Sequence, residues 1–310
     1  MTWERVEQLI GANNLQRLAE KRVGVVGLGS GGGFVAQSLA MSGVGKFVLV
    51  DDDSLEAGNV VRHIADRRDV GRPKTEAVAN LIRQRNPDAR VETYLGRIEQ
   101  NLEVLDNLDI LIVGVDGEGA KYAINQACLE RELPAVYAGV YERGEGGDVV
   151  VIRPFNGPCY ACWSAELREG LAAGGDPNQE LDYGMIGPEG TLEAEPGLWL
   201  HVVKVATVQA DIALNELLAD SEMYQSLPAN TIIMANRAIE IADGQVSPPH
   251  TALWVDIARD PECLVCGQRA QRATVDQGDA AISLDDLAST AGIILEEDDT
   301  ALADRKNETR

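Results

Sequence analysis

The sequence predicts an α/β fold: a doubly wound, Rossmann-like, mostly parallel sheet continued by antiparallel strands and stapled by a four-cysteine zinc knuckle. Three observations predict it. Val23–Val26 is a short apolar run followed at once by Gly27, Gly29 and Gly32 in G-x-G-x-x-G spacing, then by a helix-period segment and a second apolar run ending at Asp51, nineteen residues after Gly32. Segments of strand and helix character alternate as far as Gly139, the pattern of a parallel sheet with helices on both faces. Two C-x-x-C pairs, Cys159–Cys162 and Cys263–Cys266, each follow a segment that reads as an antiparallel strand.

The elements follow in order. Met1–Glu20 is helical in pattern, with Val6, Leu9, Ile10, Leu15 and Leu18 apolar and Arg5 and Arg17 its notable charges. Val23–Val26 and Phe47–Val50 are strands, and Phe34–Ser42 between them is a helix. Glycines let the chain turn tightly and approach phosphates, the helix start adds free N–H groups, and an acid at the second strand's end can accept hydrogen bonds from ribose hydroxyls. A nucleotide is therefore expected at Gly27–Gly32 and Asp51.

After Asp51 the periodicity fades into a loop. Asn59, Arg62 and His63 lie in it as polar groups available to that nucleotide. Pro73 suits a helix's first turn, and Thr75–Arg85 carries Ala77, Val78, Leu81 and Ile82 on one side. Lys74 at that helix start opposes the helix dipole and needs a reason, of which a phosphate partner is one. Arg90–Tyr94 is a third strand. Leu108–Val115 is a central one, ending at Asp116, so Asp51 and Asp116 both stand at the carboxyl ends of strands, where open α/β sheets bind ligands. Gly119–Glu132 is a helix with Tyr122, Ile124, Ala127 and Cys128 facing inward, and Pro134–Gly139 is the next strand. Cys128 reads as a small buried hydrophobe rather than a nucleophile.

In the second half Gly147–Arg153 and Thr251–Ile257 read as antiparallel strands, each leading into a cysteine pair. Cys159, Cys162, Cys263 and Cys266 offer four thiolates, the ligand set of a closed structural Zn²⁺ site. Residues 167–196 form a polar, glycine-rich crossover loop without cysteine, and Leu198–Leu218 is apolar on most faces and expected to be buried by the sheet, by a second subunit, or by both. One domain is expected over 1–267, with halves 1–140 and 141–267. It is followed by an acidic tail over 268–310, mobile except for a short helix at Ser283–Leu295.

The chain has 310 residues and a formal net charge of −23, with 21 Arg but only 6 Lys. That balance argues against nonspecific nucleic-acid or anionic-membrane binding, because phosphate contacts need Lys and Arg. A Lys-poor acidic surface can be a salt adaptation, though ordinary solubility is the simpler reading. The start of the chain is polar and mixed in charge, without a visible signal peptide. Leu198–Leu218 contains Lys204, Gln209 and Asp211, which are costly at a bilayer centre. A cytoplasmic protein without a membrane span is expected.

Taken together, V-V-G-L-G-S-G-G-G at Val25–Gly33, L-V-D-D-D at Leu49–Asp53, N-V-V-R-H at Asn59–His63, G-R-P-K at Gly71–Lys74, V-G-V-D at Val113–Asp116 and the two C-x-x-C pairs resemble the ThiF, MoeB and HesA group of adenylyltransferases, which includes the ubiquitin-activating enzymes. The resemblance implies ATP- and Mg²⁺-dependent activation of the C-terminal carboxylate of a small ubiquitin-like or sulfur-carrier protein ending in Gly-Gly, giving an acyl-adenylate and pyrophosphate. It implies that Gly27, Gly29, Ser30 and Gly32 lie against the nucleotide, that Asp51 holds the ribose with Asp53 beside it in the same motif, that Asn59, Arg62 and Lys74 contact the phosphates, and that Asp116 binds Mg²⁺. It further implies a homodimer in which Arg5 reaches the neighbouring subunit's ATP, and a carrier-binding role for residues 141–267. His63 stands where this family usually has Gln, and Gly117 where Asn is common. The crossover loop lacks the cysteine that many members use for a thioester, which argues for a protein that stops at the adenylate.

Two other readings share some of these residues. Gly27–Gly32 with Asp51 also fits an NAD-dependent oxidoreductase, but no acid–arginine pair for hydride transfer accompanies it. A non-catalytic partner subunit of the same family would be expected to lack Arg62, Lys74 and Asp116, which this chain keeps.

Overall fold

The computed structural model describes residues 2–172, 197–242 and 244–267. The N-terminal helical segment is two helices, α1 (Glu4–Ile10) and α2 (Ala12–Glu20), parted by Gly11 at φ +83°. Then come β1 (Arg22–Val26), α3 (Ser30–Met41), β2 (Lys46–Asp51), α4 (Lys74–Arg85), β3 (Arg90–Leu95), β4 (Ile110–Val113), α5 (Glu118–Glu130) and β5 (Ala135–Val140). The second half adds β6 (Gly146–Ile152), α6 (Tyr160–Ala172), α7 (Trp199–Leu217), β7 (Thr231–Ala235), β8 (Ile239–Ala242), β9 (Gln245–Ser247) and β10 (Ala252–Val255).

Eight strands form one sheet in the order β10-β7-β6-β5-β4-β1-β2-β3. The five from β3 to β5 run parallel, and β6, β7 and β10 continue antiparallel. The sheet is thus the mostly parallel one expected, with its antiparallel extension. The strand order reverses between β1, which leads to β2, and β4, which leads to β5. This switch point leaves a crevice outside the strands' carboxyl ends.

Alternation along the strands divides the core. Val23 and Val25 of β1 and Phe47 and Leu49 of β2 pack with Val35 and Leu39 of α3, Val78 and Ile82 of α4 and Val205 of α7. Val26, Val48, Val50 and Val113 point to the other face, against Ile124 and Ala127 of α5 and Tyr160 and Trp163 of α6. Both faces are covered, which is why the strands read as unbroken apolar runs rather than alternating ones.

Three expectations need correction. Tyr122 does not turn inward with Ile124, Ala127 and Cys128: it is 39% exposed and meets Tyr160 edge-on. Residues 167–172 belong to α6 rather than to a loop, because the helix that starts at the first cysteine pair runs on to Ala172. Pro73 is the N-cap of α4 rather than inside its first turn. On α7, Val205, Ala206, Ala210, Ile212, Ala213 and Leu217 are buried as expected, while Leu200 in its first turn is 73% exposed within the single chain. Strand β7 and the β8–β9 hairpin were not anticipated. Residues 173–196 and the short helix expected at Ser283–Leu295 lie outside the described residues.

Gln209 has a structural use that its polarity concealed. Its side-chain amide, buried on α7, donates to Val113 O at 3.1 Å and Val136 O at 2.9 Å, tying the helix to the carbonyls of β4 and β5. Among the described residues no helix is long and apolar enough to cross a membrane.

Candidate active site at the strand switch point

The glycine turn forms the floor of the crevice. Gly27 has φ +83°, a region that side chains disfavour, and a Cβ there would lie 2.6 Å from the carbonyl carbon of Gly114, the residue directly after β4. A Cβ on Gly32 would meet Gly27 O, and one on Gly114 would lie 2.8 Å from the same oxygen. Three backbones therefore cross with no side chain between them. Gly114 is the partner that sequence reasoning missed; a glycine breaking the apolar run Leu108–Val115 was its signal. Above this floor Gly29 and Ser30 are half-buried, a Cβ on Gly29 would meet nothing within 4 Å, and no side chain caps the start of α3. An uncapped helix start next to open space is a site for an anionic group.

Asp51 holds the turn from the second strand. Its Oδ2 accepts Leu28 N–H at 2.6 Å and its Oδ1 accepts Asp53 N–H at 2.9 Å. Burial pushes its carboxyl above the usual value, against the two backbone donors and Lys74, which pull the other way. Each oxygen keeps a further acceptor position, so bonding to a ribose hydroxyl is compatible with this arrangement.

His63 is not a polar group left for a nucleotide. It is buried; its Nδ1 accepts Ala65 N–H at 2.9 Å and its Nε2 lies 2.8 Å from Leu28 O. Since Nδ1 accepts, Nε2 carries the proton and donates to Leu28. Burial lowers its pKa and keeps the ring neutral. Leu28 is thus pinned by its N–H to Asp51 and by its C=O to His63.

Lys74 has partners of its own. The backbone pairs across Ser54 and Pro73, and this brings Lys74 Nζ to 2.6 Å from Asp53 Oδ2 and 4.0 Å from Asp51 Oδ1, with the side chain 12% exposed. These two acids answer the helix-dipole objection to a cation at this position. In the connecting loop, Asn59 Oδ1 accepts Glu56 N–H at 3.1 Å, and Arg62 ends a short 3-10 turn, Val60–Arg62.

Asp116 follows β4 and is exposed; among the described residues it makes no hydrogen bond or ion pair. Next to it Gly117 caps α5 without a side-chain bond. Arg5 is exposed on α1 and makes no such contact among the described residues either. The structure therefore joins Asp51, Asp53, Lys74 and the glycine turn directly, sets Asp116 at the neighbouring strand end, and leaves Arg5 outside the cluster.

The four cysteines converge. Cys159 and Cys162 Sγ lie 3.7 Å apart, Cys159 and Cys263 3.8 Å, and Cys162 and Cys266 3.5 Å, with all four within 4.8 Å of one another. Burial pushes the Cys159 thiol up and Cys162 to about 11, so thiolates are disfavoured there unless a cation compensates them. Four buried sulfurs at these separations fit a tetrahedral Zn²⁺ site. Cys128 stands apart, its thiol raised by burial to about 12, in keeping with a buried hydrophobe.

Comparison with known proteins gives a consistent picture. The model of the ThiF family matches residues 4–281. A SAMP-activating enzyme E1 from Haloferax volcanii is 30% identical over 262 residues, covering 84% of this chain and 85% of that protein. Ubiquitin-like modifier-activating enzyme 5 from Drosophila pseudoobscura pseudoobscura is 32% identical over 167 residues, 48% of this chain and 41% of the relative. Among solved structures, E. coli MccB with ATP superposes with a TM-score of 0.62 at 22% identity, over 83% of this chain and 70% of that one, a likeness of fold.

Proposed function

We infer the reaction from kinship and site together: this chain belongs to the ThiF family and is an E1-like adenylating enzyme, and we propose that it adenylates the C-terminal carboxylate of a small ubiquitin-like or sulfur-carrier protein ending in Gly-Gly. Family membership sets the dinucleotide oxidoreductase aside. One observation carries the reading. At the switch point the exposed carboxylate Asp116 follows by two residues the Gly114 backbone that lies against the glycine turn, the uncapped start of α3 opens above that turn, and the ammonium of Lys74 lies next to Asp51. That combination suits a nucleoside triphosphate and a hard cation better than an uncharged ligand.

In this reading the α3 N–H groups and the glycine turn take the phosphates, Asp51 takes the ribose, and Asn59, Arg62 and Lys74 oppose phosphate charge. Asp116 holds Mg²⁺, which when bound supplies Lewis-acid polarisation of phosphoryl oxygens. The attacking carboxylate is already ionised at neutral pH, so no general base is required for this step. The chain's work is positioning and charge stabilisation, which fixed cations perform without reorganising. Four thiolates would fill the coordination of zinc, so Cys159, Cys162, Cys263 and Cys266 hold a structural ion. A two-fold dimer covers the exposed start of α7 and lets Arg5 act across the interface. Exchange of labelled pyrophosphate into ATP, dependent on a Gly-Gly-ending carrier from the same organism, tests the reading; no exchange with any such carrier would refute it.

A further inference from the structure

A recess of about 60 Å³ opens at the carboxyl end of β5, between α5 and α6. Its rim holds Glu118 and Lys121, which pair with each other at 3.0 Å, while Tyr160 Oη donates to the Glu118 carboxylate at 3.2 Å. The rim charges therefore cancel. Its walls are aromatic, with the Tyr137 and Tyr160 rings stacked at 4.6 Å. Two groups inside are notable. Asp148, on β6 opposite Gly139, is 4% exposed, and Gly139 leaves its carboxyl room, since a Cβ there would lie 3.3 Å from Oδ1. Tyr137 is 2% exposed, and among the described residues its hydroxyl has no hydrogen-bond partner. A buried, unpartnered hydroxyl in a polar recess calls for an occupant.

The recess adjoins the proposed adenylation site. Glu118 on its rim is two residues from Asp116, a chain length of at most about 7 Å. The acyl-adenylate formed there needs a nucleophile, and this chain has no exposed thiol to offer. All five cysteines are accounted for: four converge in the metal cluster, and Cys128 is buried. The nucleophile must therefore come from another molecule.

We propose that this recess admits the primary amine of an acceptor, such as a lysine side chain, and that Asp148 takes the amine's proton as it attacks the acyl-adenylate directly. The proposal rests on the adenylation reading and names the class of the second substrate. The amine lone pair forms the C–N bond to the acyl carbon. The bond from that carbon to the AMP oxygen breaks with its electrons on AMP, and one amine proton passes to the Asp148 carboxylate. Asp148 and the Tyr137 oxygen are two acceptors for the two N–H bonds of a neutral amine; a thiol has one weak donor and would leave one of them unmet. Burial, opposed by bonds from Tyr141 and Gly139 and by the Lys121 charge, brings the Asp148 carboxyl to about 7, matched to proton transfer near neutrality.

The test separates the two half-reactions. Pyrophosphate exchange reads adenylation; AMP release stimulated by Nα-acetyl-lysine, with the carrier–lysine amide seen by mass spectrometry, reads acyl transfer. Asp148→Asn is expected to lower lysine-dependent AMP release by about 10²-fold or more while exchange continues. AMP release by hydroxylamine, which is unprotonated at neutral pH, should persist in the same variant. Tyr137→Phe should raise the lysine concentration needed for half-maximal release. Four results would overturn the proposal: no stimulation by lysine in a wild-type enzyme that does exchange, unchanged stimulation in Asp148→Asn, loss of exchange in that variant, or equal release by N-acetylcysteine without need of Asp148. Failure of the wild type to exchange at all would count against the adenylation reading instead.

Discussion

The Lys74 ammonium lies 2.6 Å from the Asp53 carboxylate, so the cation assigned to phosphate is already held by an acid. The pair is half exposed: Asp53 is 65% open and Lys74 12%. Such a pair is individually weak and can be exchanged for a better anion. Lys74→Ala and Arg62→Ala should each cost roughly 10²-fold in pyrophosphate exchange, as lost charge contacts do. Asp53→Asn should cost far less, since it frees Lys74 rather than removing it. Equal losses in Lys74→Ala and Asp53→Asn would assign the pair a structural role.

Asp116→Ala should abolish exchange while leaving the melting temperature almost unchanged, because the side chain is exposed and supports nothing among the described residues. Exchange and thermal unfolding measured on one preparation check both halves of the expectation. Undiminished exchange would exclude Asp116 as the metal ligand.

Stability should depend on pH through Asp148. Its folded pKa, about 7, stands above the ordinary value of 3.8, so its contribution is fully present below about pH 4 and is lost as pH rises through 7. Burying the ion costs up to about 4 kcal/mol at pH 8, taking 1.36 kcal/mol per pH unit. Asp148→Asn should therefore be more stable than wild type at pH 8 and lose more than half of that advantage at pH 5, as denaturant titrations at the two values would show. A pH-independent difference would mean that the carboxyl is not buried as an acid.

Gently purified protein should carry one zinc per chain on Cys159, Cys162, Cys263 and Cys266. Stripping the metal should lower stability more than it alters nucleotide binding, since the cysteines pack with Leu129 at the end of α5 remote from Asp116. Metal analysis and calorimetry before and after chelation decide it.

Arg5→Ala and Asp116→Ala should each be inactive as homodimers. Mixed, they should form dimers with one intact site and regain part of the activity. A mixture that exchanges subunits yet stays inactive would show that Arg5 does not act in trans.

How far the sequence revealed this site depends on distance along the chain. Gly27–Gly32 and Asp51 were legible because turn, helix and acid lie within thirty residues and follow local rules. The cysteine pairs were legible despite lying 104 residues apart, because C-x-x-C is chemically distinctive. His63 was misjudged because nothing local reveals that Leu28, 35 residues earlier, lies against it. Tyr122 was misjudged because an aromatic at helical spacing reads as core until the neighbouring helix is known. Asp148 and Tyr137 were invisible as a pair: antiparallel pairing of β5 with β6 brings them to one recess, and a single acid in an apolar strand carries no motif.

The crossing of Gly27, Gly32 and Gly114 has an evolutionary consequence. A clash in a packed core is ordinarily relieved by a second change that trims the neighbour. Here the neighbours are main-chain atoms of other glycines, and nothing remains to trim. An alanine at any of the three should have no suppressor among the other two, and revertants should restore glycine itself. The three positions should drift as a block or not at all, however far the charged residues around them diverge.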